Sequence, residues 1–388
     1  MTISKPTLHL RSETKPLEHR SALTPAVVRQ LVAHGFHVNV ERSPVRIFED
    51  SEYEAAGGKL VPEGQWPDAP VDHIIIGLKE LPSEPDFPLK HTHIQFSHCF
   101  KGQAGFEQVL GRFPAGKGTL YDLEFLEDPT TGVRVAAFGY HAGFAGAALA
   151  IMDFGWQLRY GGKAPMPGKH FYRNEGDLIK EVQAELEMGL AKNHGKLPRV
   201  LVIGALGRCG KGALDLCRYV GIPDENLLKW DLPETKRGGP FVEIRDSDIF
   251  INCIYLDKEI PKFVTEDFLR DGVRRLSVVC DVSCDTTNQN NPIPFCNKPT
   301  YFDSPTIQLP DYSNPPLSYI TIDHLPSLLP REASEKFSEA LLPSLLELEN
   351  KSKSPVWLNA ERLFNEKVKE LEKARGLQNR SVVPIGEP

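Results

Sequence analysis

The sequence predicts an α/β protein made of two Rossmann-like domains with parallel sheets flanking an active-site cleft. Three observations carry this expectation. Strongly apolar runs, of the kind buried on both faces of a parallel sheet, recur along the chain and end in polar residues. The stretch from Thr7 to Val40 reads strand–loop–helix–strand, a parallel βαβ unit. A second such unit opens near Pro198, where an apolar strand runs into a glycine-rich turn and a helix. The length of 388 residues is enough for two domains, each with its own core.

The elements follow in order. Thr7-Leu8-His9-Leu10-Arg11 alternates as a strand, and Glu13 to Arg20 is a loop. Thr24 is placed to cap a helix with Pro25 at its first position. Val27, Val28, Leu31 and Val32 give that helix an apolar face, and Gly35 ends it. Phe36, Val38 and Val40 alternate as the next strand. Further strands are expected within His73–Glu80, Ile94–Phe100 and Thr119–Phe125. Val135 to Leu158 reads as a helix rich in Gly and Ala, and Gly176 to Leu190 as an acidic amphipathic helix. The second unit begins with a strand at Pro198–Gly204. Strands follow at Leu227–Trp230, Ile249–Tyr255 and Leu276–Val282, and Asn288 to Pro316 reads as loop. A helix starts near Pro330, and Pro343 should kink or break it. The last helix runs from Val356 to Arg375, with Trp357, Ala360, Phe364, Val368 and Leu371 on one face and Gly376 as a stop signal. The final dozen residues are expected to fray.

Composition removes several function classes. The formal net charge is −7, and a pI near 6.0 argues against a dedicated nucleic-acid binder. The start, Met1 to Arg20, has no apolar core of a signal peptide. Val135 to Met152 is the least charged stretch. It carries three glycines and His141, between Arg134 and Asp153, so a buried helix is expected and no membrane span. Seven cysteines without a C-x-x-C do not make a disulfide scaffold, and the cytoplasm is the expected compartment. Between Lys5 and Arg46, seven Lys/Arg stand against three Glu. That imbalance suits a local anion site, although counts alone favour a solvated surface.

The motif Gly204-Ala205-Leu206-Gly207-Arg208-Cys209-Gly210 follows an apolar strand and precedes a helix. Its spacing is G-x-x-G-x-x-G, and Asp231 ends the next strand. Backbone N–H groups at a helix start bind pyrophosphate, and absent side chains allow close approach. A carboxylate at the position of Asp231 accepts ribose hydroxyls and repels a 2′-phosphate, which favours NAD over NADP. The bland alternative is a structural turn with a strand-end Asp.

Lys79, His98 and Glu124 each fall near the carboxyl end of an expected strand, where ligands of open parallel sheets sit. His and Lys of tuned pKa make acid–base partners, and a neighbouring Glu can tune them. A lone strand-end His is more often structural, so the weight lies in the grouping. Lys15, Arg20 and Arg134 are candidate anion binders, although each alone is more often a surface charge. Lys101 and Gln103 follow His98 and could add polar substrate contacts. Cys209 lies inside the glycine-rich turn and Cys253 at the end of a neighbouring strand, places that can be close; a disulfide is conceivable, but small buried thiols are favoured. No metal is expected, because no cluster has zinc spacing.

At this point a resemblance becomes specific. Leu8-His9-Leu10-Arg11-Ser12-Glu13-Thr14-Lys15-Pro16-Leu17-Glu18 resembles the start of the alanine dehydrogenase/transhydrogenase superfamily. Ile76-Gly77-Leu78-Lys79-Glu80, Gln95-Phe96-Ser97-His98-Cys99, Leu120-Tyr121-Asp122-Leu123-Glu124-Phe125 and Ile322-Asp323-His324-Leu325-Pro326 narrow it. Together they resemble the fungal NAD-dependent, L-lysine-forming saccharopine dehydrogenases, from about Thr7 to Phe364.

The resemblance implies conversion of saccharopine, NAD and water to lysine, 2-oxoglutarate and NADH, the last step of the α-aminoadipate route. It implies Lys79 as general base, His98 as general acid and Glu124 as the group that tunes them. Arg20, Lys101, Gln103 and Phe138 match saccharopine-binding positions, and Arg134 a cofactor-contacting one. Gly207, Arg208, Asp231, Thr235, Tyr255, Val282, Ile322, Asp323, His324 and Leu325 match NAD-binding positions. Gly204 and Gly210 join them from the motif. Cys209 and Cys253 match a pair that bridges in the family, which a reducing cytosol opposes. Residues 1–136 with 327–388 would bind substrate and residues 137–326 would bind NAD. The expected partners are these small molecules, with no nucleic acid and no membrane, and a monomer is expected. The rival readings are an alanine dehydrogenase-like enzyme and a non-catalytic NAD sensor.

Overall fold

A computed structural model describes residues 5–256, 258–284, 286 and 288–381. The chain divides into two compact units, Met1–Ala137 with Ala333–Pro388, and Phe138–Glu332.

The first unit carries six strands: β1 (Thr7–Leu10), β2 (His37–Glu41), β3 (Lys59–Val61), β4 (Ile74–Ile76), β5 (Thr92–Gln95) and β6 (Thr119–Asp122). They pair in the order β3-β2-β1-β4-β5-β6, all parallel. Chain direction across the sheet reverses between β1 and β4, so a crevice opens beyond the carboxyl ends of those strands. The expected strand at Ile94–Phe100 in fact starts at Thr92 and stops at Gln95, because His98 takes a left-handed backbone at φ 50° that no ladder accommodates. Thr24 caps the helix Pro25–Ala33 by accepting the Val27 N–H at 3.4 Å. Ser338 and Ser334, in the C-terminal helix Pro330–Leu346, accept the Thr24 and Ser21 N–H groups at 3.1 and 2.9 Å.

Two expectations for the C-terminal helices need correction. The first helix passes through Pro343 to Leu346 before tightening into a 3-10 turn; proline removes one helix hydrogen bond there, and the buried Leu341, Leu345 and Leu348 carry the chain past it by packing. Trp357 then donates to the Ser344 carbonyl at 2.8 Å. The last helix spans Pro355–Ser381, so Gly376 does not stop it, and residues 377–381 of the tail expected to fray are helical; good helix formers flank that glycine. The rest of the expected frayed tail, residues 382–388, lies outside the described residues. This helix packs Trp357 on Tyr121 of β6 and Phe364 on Phe113, at ring distances of 5.2 and 6.1 Å.

The second unit carries β7 (Val200–Ile203), β8 (Leu227–Trp230), β9 (Ile249–Asn252), β10 (Val278–Asp281), β11 (Ile307–Ser313) and β12 (Pro316–Ile320). Their order is β11-β12-β10-β9-β7-β8. Every pair is parallel except β11 with β12, which form an antiparallel hairpin at one edge. The segment expected to be loop, Asn288–Pro316, thus contains a strand. Pro310 hid it, yet an edge strand has one row of amides without ladder partners and tolerates proline there.

The Gly/Ala-rich stretch forms the helix Gly139–Tyr160, buried along most of its length. A side chain at Gly143 would overlap the Cys209 carbonyl, and one at Gly212 would overlap the Tyr140 carbonyl. Two backbones therefore touch where this helix crosses the helix Arg208–Tyr219. Farther along, Asp153 accepts from the Ser318 hydroxyl and from the Gln157 amide at 3.1 Å, which ties the helix to β12. Burial raises the Asp153 carboxyl to about 6. Among the described residues no helix is long and apolar enough to cross a membrane.

Gly143→Ala is expected to lower stability by about 1–3 kcal/mol in urea unfolding, because neither backbone can move aside cheaply. His93 of β5 is buried between Trp66 and Phe113, with ring distances of 5.2 and 5.5 Å. Burial first, then the positive Arg11, pushes its imidazole well below the usual value. The folded state holds it neutral, while the unfolded chain protonates it below about pH 6.5. Stability should therefore be full above that pH and fall as the pH drops below it. His93→Leu should flatten that slope.

Candidate active site

Arg11, the residue after β1, is buried beneath the crevice. Its guanidinium donates to the Lys79 and Ser12 carbonyls and, at 3.4 Å, to the Gln95 side chain. Gly77 makes room for it, since a Cβ there would overlap the guanidinium. Glu13 accepts the Leu78 and Lys79 N–H groups at 2.6 and 3.0 Å. The backbone that carries Lys79 is therefore gripped from two sides.

The Lys79 side chain is half-buried, and among the described residues no carboxylate pairs with it directly. Burial first, and then the charge of Arg20, lowers its ammonium below the usual lysine range; Glu18 and Glu80 pull the other way. Arg20 and Glu18 are themselves buried. Arg20 donates through Nε at 2.8 Å and through its terminal nitrogen at 2.7 Å, one bond to each Glu18 oxygen. Burial alone would raise the Glu18 carboxyl, but Arg20 outweighs it and holds it below the usual range. The guanidinium expected to bind substrate anions thus already faces a carboxylate.

Lys15 donates to Glu80 at 2.6 Å, and the other Glu80 oxygen lies 3.9 Å from His98 Nε2. His98 is exposed on its left-handed backbone. Glu124 does not face His98 in an ion pair; Lys101 donates to it at 2.7 Å. Gln103 accepts the Lys101 N–H at 2.9 Å, which folds that loop over itself. Beneath both loops lies Asp122, which burial raises to about 7. The structure therefore brings together Lys15, Arg20 and Lys79, with His98 reached through Glu80, while Lys101, Gln103 and Glu124 form a neighbouring set. Arg134 is exposed in a short bridge with Glu127.

In the second unit, the switch in strand order falls between β7 and β9, and the glycine-rich turn leaves β7 there. Gly204 has φ +85°, a left-handed backbone that suits glycine. Gly207 is the N-cap of the helix Arg208–Tyr219, and a side chain at Gly210 would overlap the Gly204 carbonyl. Asp231 sits just beyond β8, and its carboxylate accepts the Leu206 N–H at 3.1 Å and the Leu232 N–H at 2.9 Å. Thr235 turns its hydroxyl back to the Asp231 carbonyl at 3.0 Å.

The loops after β9 and β10 carry Tyr255, 68% exposed, and the half-buried Val282. Asn252 donates to Asp281 at 2.9 Å and joins those loops. Phe138 is the N-cap of the helix Gly139–Tyr160. Asp323 is exposed and His324 stands edge-on to Phe302 at 5.0 Å, whereas the side chains of Ile322 and Leu325 belong to the core. Cys209 and Cys253 carry thiols, and burial, with Cys209 second, pushes the Cys253 thiol well up.

Sequence reasoning missed Arg11, Glu13, Glu18, Glu80 and Asp122. Adjacency to Lys79 was an available signal for Glu80. The other four announce themselves only through burial.

The family described as alanine dehydrogenase/PNT, N-terminal domain, matches residues 9–145. The chain is 58% identical over 361 residues to the saccharopine dehydrogenase (NAD+, L-lysine-forming) of Yarrowia lipolytica, covering 93% of this chain and 97% of that protein. It is 60% identical over 362 residues to the Neurospora crassa protein of the same name, covering 93% and 96%. Among solved structures, an L-alanine dehydrogenase shares the fold with a TM-score of 0.61 and 18% identity, over 92% of this chain and 93% of that one. A transhydrogenase from Sinorhizobium meliloti follows at 0.56 and 16%, over 89% and 95%.

Glu18→Ala leaves the buried Arg20 guanidinium without its carboxylate. It is expected to cost about 3–5 kcal/mol of stability, read from the urea midpoint.

Proposed function

From its membership of the NAD+-dependent, L-lysine-forming saccharopine dehydrogenase family, shown by the fungal relatives above, we propose that this chain cleaves saccharopine oxidatively to L-lysine and 2-oxoglutarate, closing the α-aminoadipate route. The observation that supports the residue roles is the state of Lys79. It is half-buried, has cations for neighbours and lacks a direct carboxylate partner, so its amine gives up a proton more easily than an ordinary lysine.

The residues of the second unit fit a dinucleotide. The turn at Gly204–Gly210 has no side chains where backbone must come close, and it opens a helix whose first amides suit a pyrophosphate. Asp231 stands at the next strand end beside that turn. In this reading NAD+ would be held by Gly204, Gly207, Gly210, Arg208, Asp231, Thr235, Tyr255, Val282 and the segment from Ile322 to Leu325. When bound, it supplies the hydride acceptor.

Lys79 Nζ takes the proton from the secondary amine of saccharopine, since that nitrogen must be neutral before its neighbouring carbon is oxidised. Water then adds to the resulting imine, and the carbinolamine collapses. His98 gives a proton to the departing lysine amine. Glu80 lies between Lys15 and His98, and Glu124 balances Lys101 nearby. Lys15, Arg20, Lys101 and Gln103 receive the substrate carboxylates. Arg20 keeps its guanidinium fixed on Glu18 until then.

NADH oxidation with lysine plus 2-oxoglutarate should far exceed that with pyruvate plus ammonia; the reverse would make the chain an alanine dehydrogenase. Lys79→Met and His98→Gln should each lower kcat about 10²–10⁴-fold. NADH fluorescence titration should show binding unchanged in both variants. Full turnover in either one sinks that residue's role.

A further inference from the structure

Asp122 ends β6 and is only 2% exposed, so it does not reach a substrate. Its two oxygens serve two different loops. Oδ2 accepts the Ser97 N–H at 3.2 Å, one residue before His98. Oδ1 accepts the Glu124 N–H at 2.9 Å. Gln95 lies opposite Asp122 in the register of β5 and β6, and its amide donates to the Ser97 hydroxyl at 3.0 Å. Gln95 also accepts from Arg11, which bonds the Lys79 carbonyl. The carboxylate is thus one end of a buried polar chain that touches the loops after β4, β5 and β6.

His98 needs such support. A non-glycine residue at φ 50° is disfavoured and persists only where surrounding bonds hold it. The amide immediately before it is the one Asp122 holds.

We propose that Asp122 is a positioning residue for the reaction, setting the imidazole of His98 and the carboxylate of Glu124 through the Ser97 and Glu124 amides. This rests on the reading of His98 and Glu124 given above.

The test uses the full chain with Asp122→Asn, His98→Gln and the double variant. The amide of Asp122→Asn keeps one accepting oxygen and turns an NH2 toward the other N–H group, so one loop loses its hold while volume is unchanged. Rates are expressed per NADH site titrated by fluorescence, so a partly unfolded variant still gives a reading. Asp122→Asn should lower kcat about tenfold to a hundredfold, with the NADH dissociation constant unchanged. In the His98→Gln background the same substitution should cost no more than about twofold, because coupled residues are not additive.

Three results overturn the proposal. One is an unchanged kcat in Asp122→Asn. Another is an equal loss with and without His98. The third is NADH binding that falls in step with kcat, which marks Asp122 as scaffold only. Full activity in His98→Gln alone instead refutes the role of His98, and the proposal falls with it.

Discussion

A parallel strand that stops under a crevice releases its next amides from the ladder, and a buried N–H without an acceptor is costly. In this chain carboxylates answer that need. Glu13 takes two amides after β4 and Asp122 takes one each after β5 and β6. Glu41, at the end of β2, accepts Ser12, Gly64 and Trp66. In the second unit Asp231 accepts Leu206 and Asp281 accepts Ser283. An ionised carboxylate suits this task because it offers lone pairs only and makes charge-assisted bonds; Asp122, raised to about 7 by burial, has that character in full only above that pH. The loops that carry the candidate groups of each unit are therefore tied to their sheets by acidic side chains.

This has an electrostatic consequence. Most cations of the basic N-terminal segment already face carboxylates. Lys5 pairs with Glu349, Lys15 with Glu80, Arg20 with Glu18 and Arg42 with Asp50. Lys79 stands out against that background because no carboxylate among the described residues pairs with it directly, and burial, with Arg20 second, outweighs the pull of Glu18 and Glu80. The pairs are also of unequal kind. The Arg20–Glu18 pair is buried and its geometry is fixed, whereas Lys15 is largely exposed and its pair is weakened by solvent.

The parallel strands were legible because their Ile and Val runs are buried on both faces, and the glycine-rich turn because its spacing follows from backbone contact. Lys79, His98 and Asp231 could be read at strand ends because topology fixes where such ends open. The hairpin of β11 and β12 could not, since Pro310 and the Asn/Pro-rich flanks outweigh its short apolar alternation. Pro343 and Gly376 misled for a related reason: a local helix breaker says nothing of the packing that carries a helix past it. The partners of the candidate groups were hidden more deeply. Asp122 resembles any strand-end acid until its burial is known. Likewise, the assignment of Glu124 to Lys101 rather than to His98 depends on side-chain direction, which spacing does not encode.

The hairpin edge has a meaning of its own. An outermost strand shows unpaired amides and carbonyls to which another polypeptide can add. Here β11 breaks register with β12 between Gln308 and Ser313, lacks an amide at Pro310, and turns Asp311 out to Arg270 at 2.9 Å. A second sheet meeting that side finds no continuous row of donors and acceptors. The irregularity that made the segment hard to recognise also protects this edge of the folded chain from aggregation.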